Sequence, residues 1–148
     1  MQSERFKLIA SIYLILIKGE NILLLRRFQT GFEDGKYGLV AGHADGGATL
    51  RREMAREANE EAGIIIKPED MRHVLTMHRW CGDHERADFF FEVASWQGEI
   101  KNMEPNKCDD LNWFPLDQIP PNTIEYIQEA LRCYRAGVSY SEFGWPEK

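Results

Sequence analysis

From Thr49 to Ala62 the chain carries neither glycine nor proline, and Gly63 follows directly. Thr49 suits a helix N-cap and Gly63 a C-cap, so the stretch is predicted as a helix of about four turns. Glu53, Glu57, Glu60 and Glu61 recur within it at offsets of three and four. That spacing lays four carboxylates along one face with Cβ atoms ~5 to 6 Å apart, where like charges destabilise a helix. Arg56 belongs to the same side, while Met54, Ala55, Ala58 and Ala62 form the opposite, core-facing side. The commoner meaning of such a face is solvated charge. Its context points elsewhere, because a loop holding Gly42, Gly46 and Gly47 leads straight into the helix and brings backbone groups beside the acids. A hard divalent cation takes oxygen ligands, and Mg²⁺ in particular is held by a few carboxylates together with substrate phosphates.

The rest of the pattern is mostly strand. Leu8 to Ile17 and Ile22 to Arg27 flank the turn Lys18-Gly19-Glu20-Asn21 and are predicted as a hairpin. Phe28 to Lys36 reads as a loop and Tyr37 to Val40 as a short strand. His73 to His78 and Ala87 to Ala94 follow as strands across a Gly82-Asp83 turn, and Leu111 to Phe114 is another. A last helix is expected from about Pro121 to Ala136, begun by a capping box of Asn122 and Glu125 and stopped by Gly137. Strands in runs with two helices give an α/β (α+β) domain with a mixed sheet, and residues 1–148 are expected to form one domain. The parallel pattern of a dinucleotide fold does not occur.

Net charge narrows the partners. With 18 Lys and Arg against 24 Asp and Glu, the chain carries -6 and is not expected to bind nucleic acid backbones without sequence preference. A small phosphorylated substrate is still reachable through a local arginine cluster or a bridging divalent cation. Cys81, Cys108 and Cys133 are odd in number and widely spaced, which suits reduced thiols rather than a zinc site. The apolar run at Leu8 to Ile17 is half the length a membrane span needs, so a cytoplasmic protein without membrane attachment is the expectation.

Gly42, Arg56-Glu57, Glu60-Glu61, Gly63 and Ile64 fall on the spacing of the Nudix box. Strand pairs precede it, Trp96-Gln97-Gly98-Glu99 follows, and Trp113-Phe114-Pro115-Leu116 stands before the last helix. Over most of its length the chain resembles MutT-like bacterial Nudix hydrolases, and that resemblance implies a Nudix-type mixed sheet sandwiched between helices. It also implies a pyrophosphohydrolase that uses Mg²⁺ or Mn²⁺ to cleave a diphosphate linkage in a nucleoside diphosphate derivative by attack of water on phosphorus. Carried over residue by residue, the metal ligands are Glu57 and Glu61, then Glu60 and the carbonyl of Ala41. Arg56 orients the glutamates, and Glu57 or the later Glu104 serves as base. The alternative for Glu104 is an ordinary surface acid.

Arg26 and Arg27 end a strand on opposite faces, so at most one of them can enter the site. Arg79 and Trp80 are the other substrate-binding candidates, with His78 and Arg86 beside them and His43 inside the box loop. The box departs from its family at one position, where Ala48 stands in place of a glutamate; Asp45 or Glu53 is the candidate to compensate. That departure keeps alive a second reading, a catalytically weakened nucleotide-binding module. An isopentenyl-diphosphate isomerase is disfavoured because no cysteine has the required setting. Met77 to Gly82 shows neither the proline of ADP-ribose hydrolases nor the tyrosine of diadenosine polyphosphate hydrolases, and no coenzyme A signature is visible. A homodimer is compatible with the family, and the closing aromatic stretch from Tyr140 to Trp145 is expected to pack on the domain or on a second subunit.

Overall fold

A strand that is apolar on both sides must be covered on both sides. The first strand, β1 (Ile9–Lys18), buries every residue from Ser11 to Leu16. Ile12, Leu14 and Leu16 join one core with Met54, Ala58 and Ala62 of helix α1 (Leu50–Ala62). Tyr13 and Ile15 point the other way, into a second core with Ile127, Ala130 and Leu131 of helix α2 (Glu125–Ala136). The sheet is thus a middle layer between two helices. The computed structural model describes residues 3–147.

The remaining strands are β2 (Asn21–Arg27), β3 (Tyr37–Gly38), β4 (Val40–His43), β5 (Arg72–Trp80), β6 (Glu85–Val93), β7 (Cys108–Pro115) and β8 (Tyr140–Phe143). They run in the order β3-β2-β1-β6-β5-β8, with β4 added on β1 and β7 on β2. The sheet is mixed: β1 and β6 are parallel, whereas β5 and β6 are antiparallel. One edge of β1 has two partners. Ser11 to Leu14 pair with β4, while Ile17 and Lys18 pair with Ile22 and Asn21 of β2. The ladder divides there.

Helix α1 has the caps its sequence predicts. The Thr49 side chain accepts from the Arg52 amide, and Gly63 takes the left-handed conformation at φ 71. The last helix differs from expectation. It begins at Glu125 without a side-chain cap, because Asn122 donates instead to the Gly35 carbonyl, and residues 122 and 124 hydrogen-bond the backbone of Tyr37. The capping-box residues are therefore spent on joining the helix approach to β3. The expected strand at Leu111 to Phe114 is longer, since it pairs along nearly the whole of β2. The aromatic tail does pack on the domain: Tyr140 to Phe143 adds a parallel strand to β5, and Trp145 donates to the His78 carbonyl at 3.0 Å.

Candidate active site

Residue spacing on α1 and the approach of β4 build one wall of a cavity of about 910 Å³. Gly42 passes so close to the helix that a Cβ there would lie 2.5 Å from the Glu57 carboxyl carbon, so a larger residue would push the Glu57 side chain out of its place. The amide of Ala41 donates to Glu61 Oε2 at 3.3 Å. The loop before β7 adds Glu104: the Lys101 and Met103 amides bond the last carbonyls of α1, those of Ala62 and Glu61. Helix termini leave such carbonyls unsatisfied, and here they fix an acid-bearing loop beside the helix.

Four helix carboxylates crowded together are tolerated because they are divided. Arg56 lies outermost and binds Glu53 at 2.7 Å, Glu60 at 2.8 Å and Glu57 at 3.1 Å. Glu61 turns inward, and among the described residues no cation pairs with it. Its carboxyl is pushed up to about 9, first by burial and then by the charges of Glu57 and Glu104. Glu57 is raised too, with burial the main cause. This donor set suits a hard divalent cation, which would replace the missing positive charge. Among the described residues no three acidic, histidine or cysteine side chains already converge on one point. Glu57 and Glu61 stand side by side, so an ion held by this pair would need further oxygens, from Glu60, the Ala41 carbonyl or a substrate phosphate.

The facing wall is cationic and comes from the strands. Asp88, fully buried in β6, accepts from Arg79 Nε at 2.6 Å and Nη2 at 3.3 Å, and from the Tyr13 hydroxyl. The Arg79 guanidinium stacks 3.7 Å from the Tyr126 ring centre. Burial is the largest single influence and opposes its charge, but the bond to Asp88 together with the fields of Tyr13, Tyr126 and Asp88 outweighs it, and Arg79 stays protonated. Burial raises Tyr13 and Tyr126, so both phenols stay neutral. Arg86 donates to Ser11 Oγ and to ring nitrogens of His43 and His84.

The structure brings Ala41, Glu57, Glu60, Glu61 and Glu104 to the cavity together with Arg27 and Arg79, while Arg56 sits just behind the acids. Arg26 and Trp80 lie outside it. Arg26 pairs with Asp109 at 2.7 Å, and the Trp80 ring packs 5.6 Å from Trp145. Tyr13, Asp88 and Tyr126 were not singled out by sequence. Asp88 carried the available signal, an acid inside a strand otherwise rich in phenylalanine.

A two-helix, mixed-sheet domain here sets acids against a glycine loop, opposite fixed arginines, an arrangement suited to a phosphorylated ligand. The chain belongs to the Nudix family, matching the NUDIX domain over residues 6–133. It is 30% identical to the NAD-capped RNA hydrolase NudC of Stutzerimonas stutzeri (strain A1501) over 77% of this chain and 39% of that protein. It is 28% identical to the phosphatase NudJ of Escherichia coli (strain K12), over 72% of this chain and 74% of that one. The chain thus spans well under half of one curated relative and most of the other. In fold it is similar to the MutT NUDIX hydrolase of Burkholderia pseudomallei, with TM-score 0.77, 22% identity, and coverage of 86% and 98% of the two chains. Members of this family generally use divalent metal ions.

Proposed function

We propose that this chain hydrolyses the diphosphate linkage of a nucleoside diphosphate derivative, with Mg²⁺ or Mn²⁺ held by Glu57 and Glu61 and assisted by Glu60 and the Ala41 carbonyl. The carrying observation is the inward carboxyl of Glu61, buried beside Glu57 and Glu104 with no cation paired to it among the described residues. A divalent cation bound there supplies neutralisation of phosphate charge and acidification of a bound water. Glu104, on its loop beside the helix end, accepts the proton from the attacking water; Glu57 is the other base in reach. Arg56 holds Glu57 in place from behind. Arg27 and Arg79 face the substrate from the other wall. Glu53 takes over support of Arg56, since its carboxylate binds that guanidinium at 2.7 Å while Ala48 is exposed in the loop.

The test is phosphate release across nucleoside triphosphates, nucleotide sugars, ADP-ribose and dinucleoside polyphosphates, with Mg²⁺ or Mn²⁺, beside Glu57→Gln and Glu61→Gln. Metal-dependent turnover that disappears in both variants supports the hydrolase. Ligand binding without turnover of any compound would instead favour the binding module.

A further inference from the structure

The cationic wall is more than a general attraction for phosphate. Arg27, Arg79 and Arg86 all line the cavity, and each guanidinium is pinned by the protein through two of its nitrogens. Arg27 donates through Nε to the Phe32 carbonyl at 2.6 Å and through Nη2 to Thr30 Oγ1 at 3.1 Å. Arg79 uses Nε and Nη2 on Asp88. Arg86 uses Nε on His84 and Nη1 on both Ser11 and His43. Among the described residues, this leaves Arg27 Nη1, Arg79 Nη1 and Arg86 Nη2 without a partner. No fully buried side-chain nitrogen or oxygen among those residues lacks one, so none of these three nitrogens is fully buried. Arg79 is 8% exposed and its charge is matched by Asp88. Arg27 and Arg86 form no ion pair with a carboxylate among the described residues; Asp34 feels the Arg27 charge from behind Thr30, so the excess of positive charge on this wall lies chiefly at Arg86.

A neutral nucleobase is a poor occupant for such a wall. Tyr126 already gives one ring face to Arg79, and Phe32 gives one to Arg27 at 5.3 Å. Guanidinium groups desolvated against an uncharged ring lose water hydrogen bonds without replacement. A phosphate monoester carries about -1.5 to -2 at neutral pH and three acceptor oxygens, which matches both the charge and the donors left over. Ser11, Tyr13 and the histidines hold these donors in place before any ligand arrives, so little ordering remains to be done on binding.

We propose that this wall is a subsite for a second anionic group of the substrate, a terminal phosphate remote from the diphosphate being cleaved, read by Arg27, Arg79 and Arg86. The substrate class is then a diphosphate whose non-reacting end is itself phosphorylated. This rests on the hydrolase reading for the word substrate, but the subsite is testable without turnover. With EDTA present the acidic wall repels phosphate, so binding of inorganic phosphate reports on the arginines alone.

The experiment has two arms. In the first, millimolar inorganic phosphate is titrated against the metal-free protein and followed by amide NMR shifts and melting temperature, in wild type, Glu61→Gln, Arg27→Gln and Arg86→Gln. Arg79→Gln is avoided because it strands Asp88; Arg27 and Arg86 are half-buried and leave the Asp88 network whole. Saturable binding in wild type and Glu61→Gln, weakened about 10- to 100-fold in each arginine variant, is the expected result. In the second arm, kcat/KM is compared for matched pairs that differ by one terminal phosphate, coenzyme A against dephospho-coenzyme A and NADPH against NADH. A preference of about tenfold or more for the phosphorylated member of a pair, lost in Arg86→Gln, is expected. Absence of phosphate binding in wild type, or binding that survives both arginine variants, overturns the subsite and leaves the hydrolase reading standing. Arginine-dependent phosphate binding with no turnover of any compound upholds the subsite and overturns the hydrolase.

Discussion

The two walls of the cavity handle charge in opposite ways. On the acidic wall, Glu61 sits beside Glu57 and Glu104 with no cation paired to it among the described residues, and Arg56 neutralises only the outer carboxylates. On the cationic wall the deepest charge, Arg79, is fully matched by Asp88, and hydrogen bonds to both phenol and carboxylate fix its plane. The acidic wall lacks a balancing cation for its innermost acid, whereas the innermost group of the cationic wall has its counter-ion inside the protein. Stability and activity should therefore separate: loss of one partner of the buried Arg79–Asp88 pair weakens the fold, whereas loss of an acid beside Glu61 weakens chemistry and metal response.

The sharpest break of this contrast is Asp88→Ala. It leaves a buried guanidinium without its carboxylate, and a loss of about 3 to 5 kcal/mol in unfolding free energy is expected from urea denaturation. The double variant Arg79→Met with Asp88→Leu should lose much less, since neither charge is then stranded. A loss below about 1 kcal/mol for the single variant, the range of an exposed ion pair, would show that the pair does not hold the wall together.

On the acidic wall the expected effect is slightly smaller and appears only when metal is added. Saturating Mg²⁺ or Mn²⁺ at about 100 times Kd should stabilise the wild type by about 2.7 kcal/mol, because the ion binds the folded chain alone. Glu61→Gln should fold normally without metal and show little of this gain. An equal metal response in wild type and variant would remove Glu61 from the proposed ligand set.

The same contrast explains what the sequence made legible. Glu53, Arg56, Glu57, Glu60 and Glu61 lie within three helical turns, so helix geometry alone predicts their company, and Gly42 and Gly63 mark the loop and the cap. The cationic wall has no such spacing. Tyr13 meets Asp88 across 75 residues through the parallel β1 and β6 pairing, and Tyr126 across 113 through the packing of α2 on the sheet, neither of which any local pattern announces. Arg79 was visible as a cation near a turn, but its partner was hidden among phenylalanines in β6. The start of the last helix was misplaced for a related reason: Asn122 had two uses for its side chain, and the loop at Gly35 took it.

A smaller effect tests how the acidic wall is kept in order despite Ala48. Glu53 shares the Arg56 Nη2 donor with Glu57, so Glu53→Ala should free Arg56 and lower kcat by about tenfold, the lower range for an outer partner of a metal ligand. Ala48→Glu should change kcat less than that, because the guanidinium is already held. A large gain from Ala48→Glu would mean that Glu53 does not stand in for the missing glutamate.

The smallest expected effect lies at the edge of the cationic wall, in the loop that pins Arg27. Asp34 accepts from the Thr30 hydroxyl at 2.5 Å and from the amides of Thr30 and Gly31, and these bonds, the Thr30 side chain first, hold its carboxyl below the usual range. A carboxyl whose pKa falls on folding binds fewer protons in the folded state than in the unfolded one. Its contribution is therefore present above the unfolded pKa and is lost as pH falls through the folded value. Thr30 in turn accepts from Arg27 Nη2, so the loop is expected to loosen around Arg27 in acid before the rest of the sheet does. Amide hydrogen exchange at Thr30 and Gly31 should accelerate below the ordinary aspartate range, and Asp34→Asn should show the faster exchange already at neutral pH. Protection that stays constant through acid in wild type would mean that Asp34 does not order this loop, and that Arg27 is held by the Phe32 carbonyl alone.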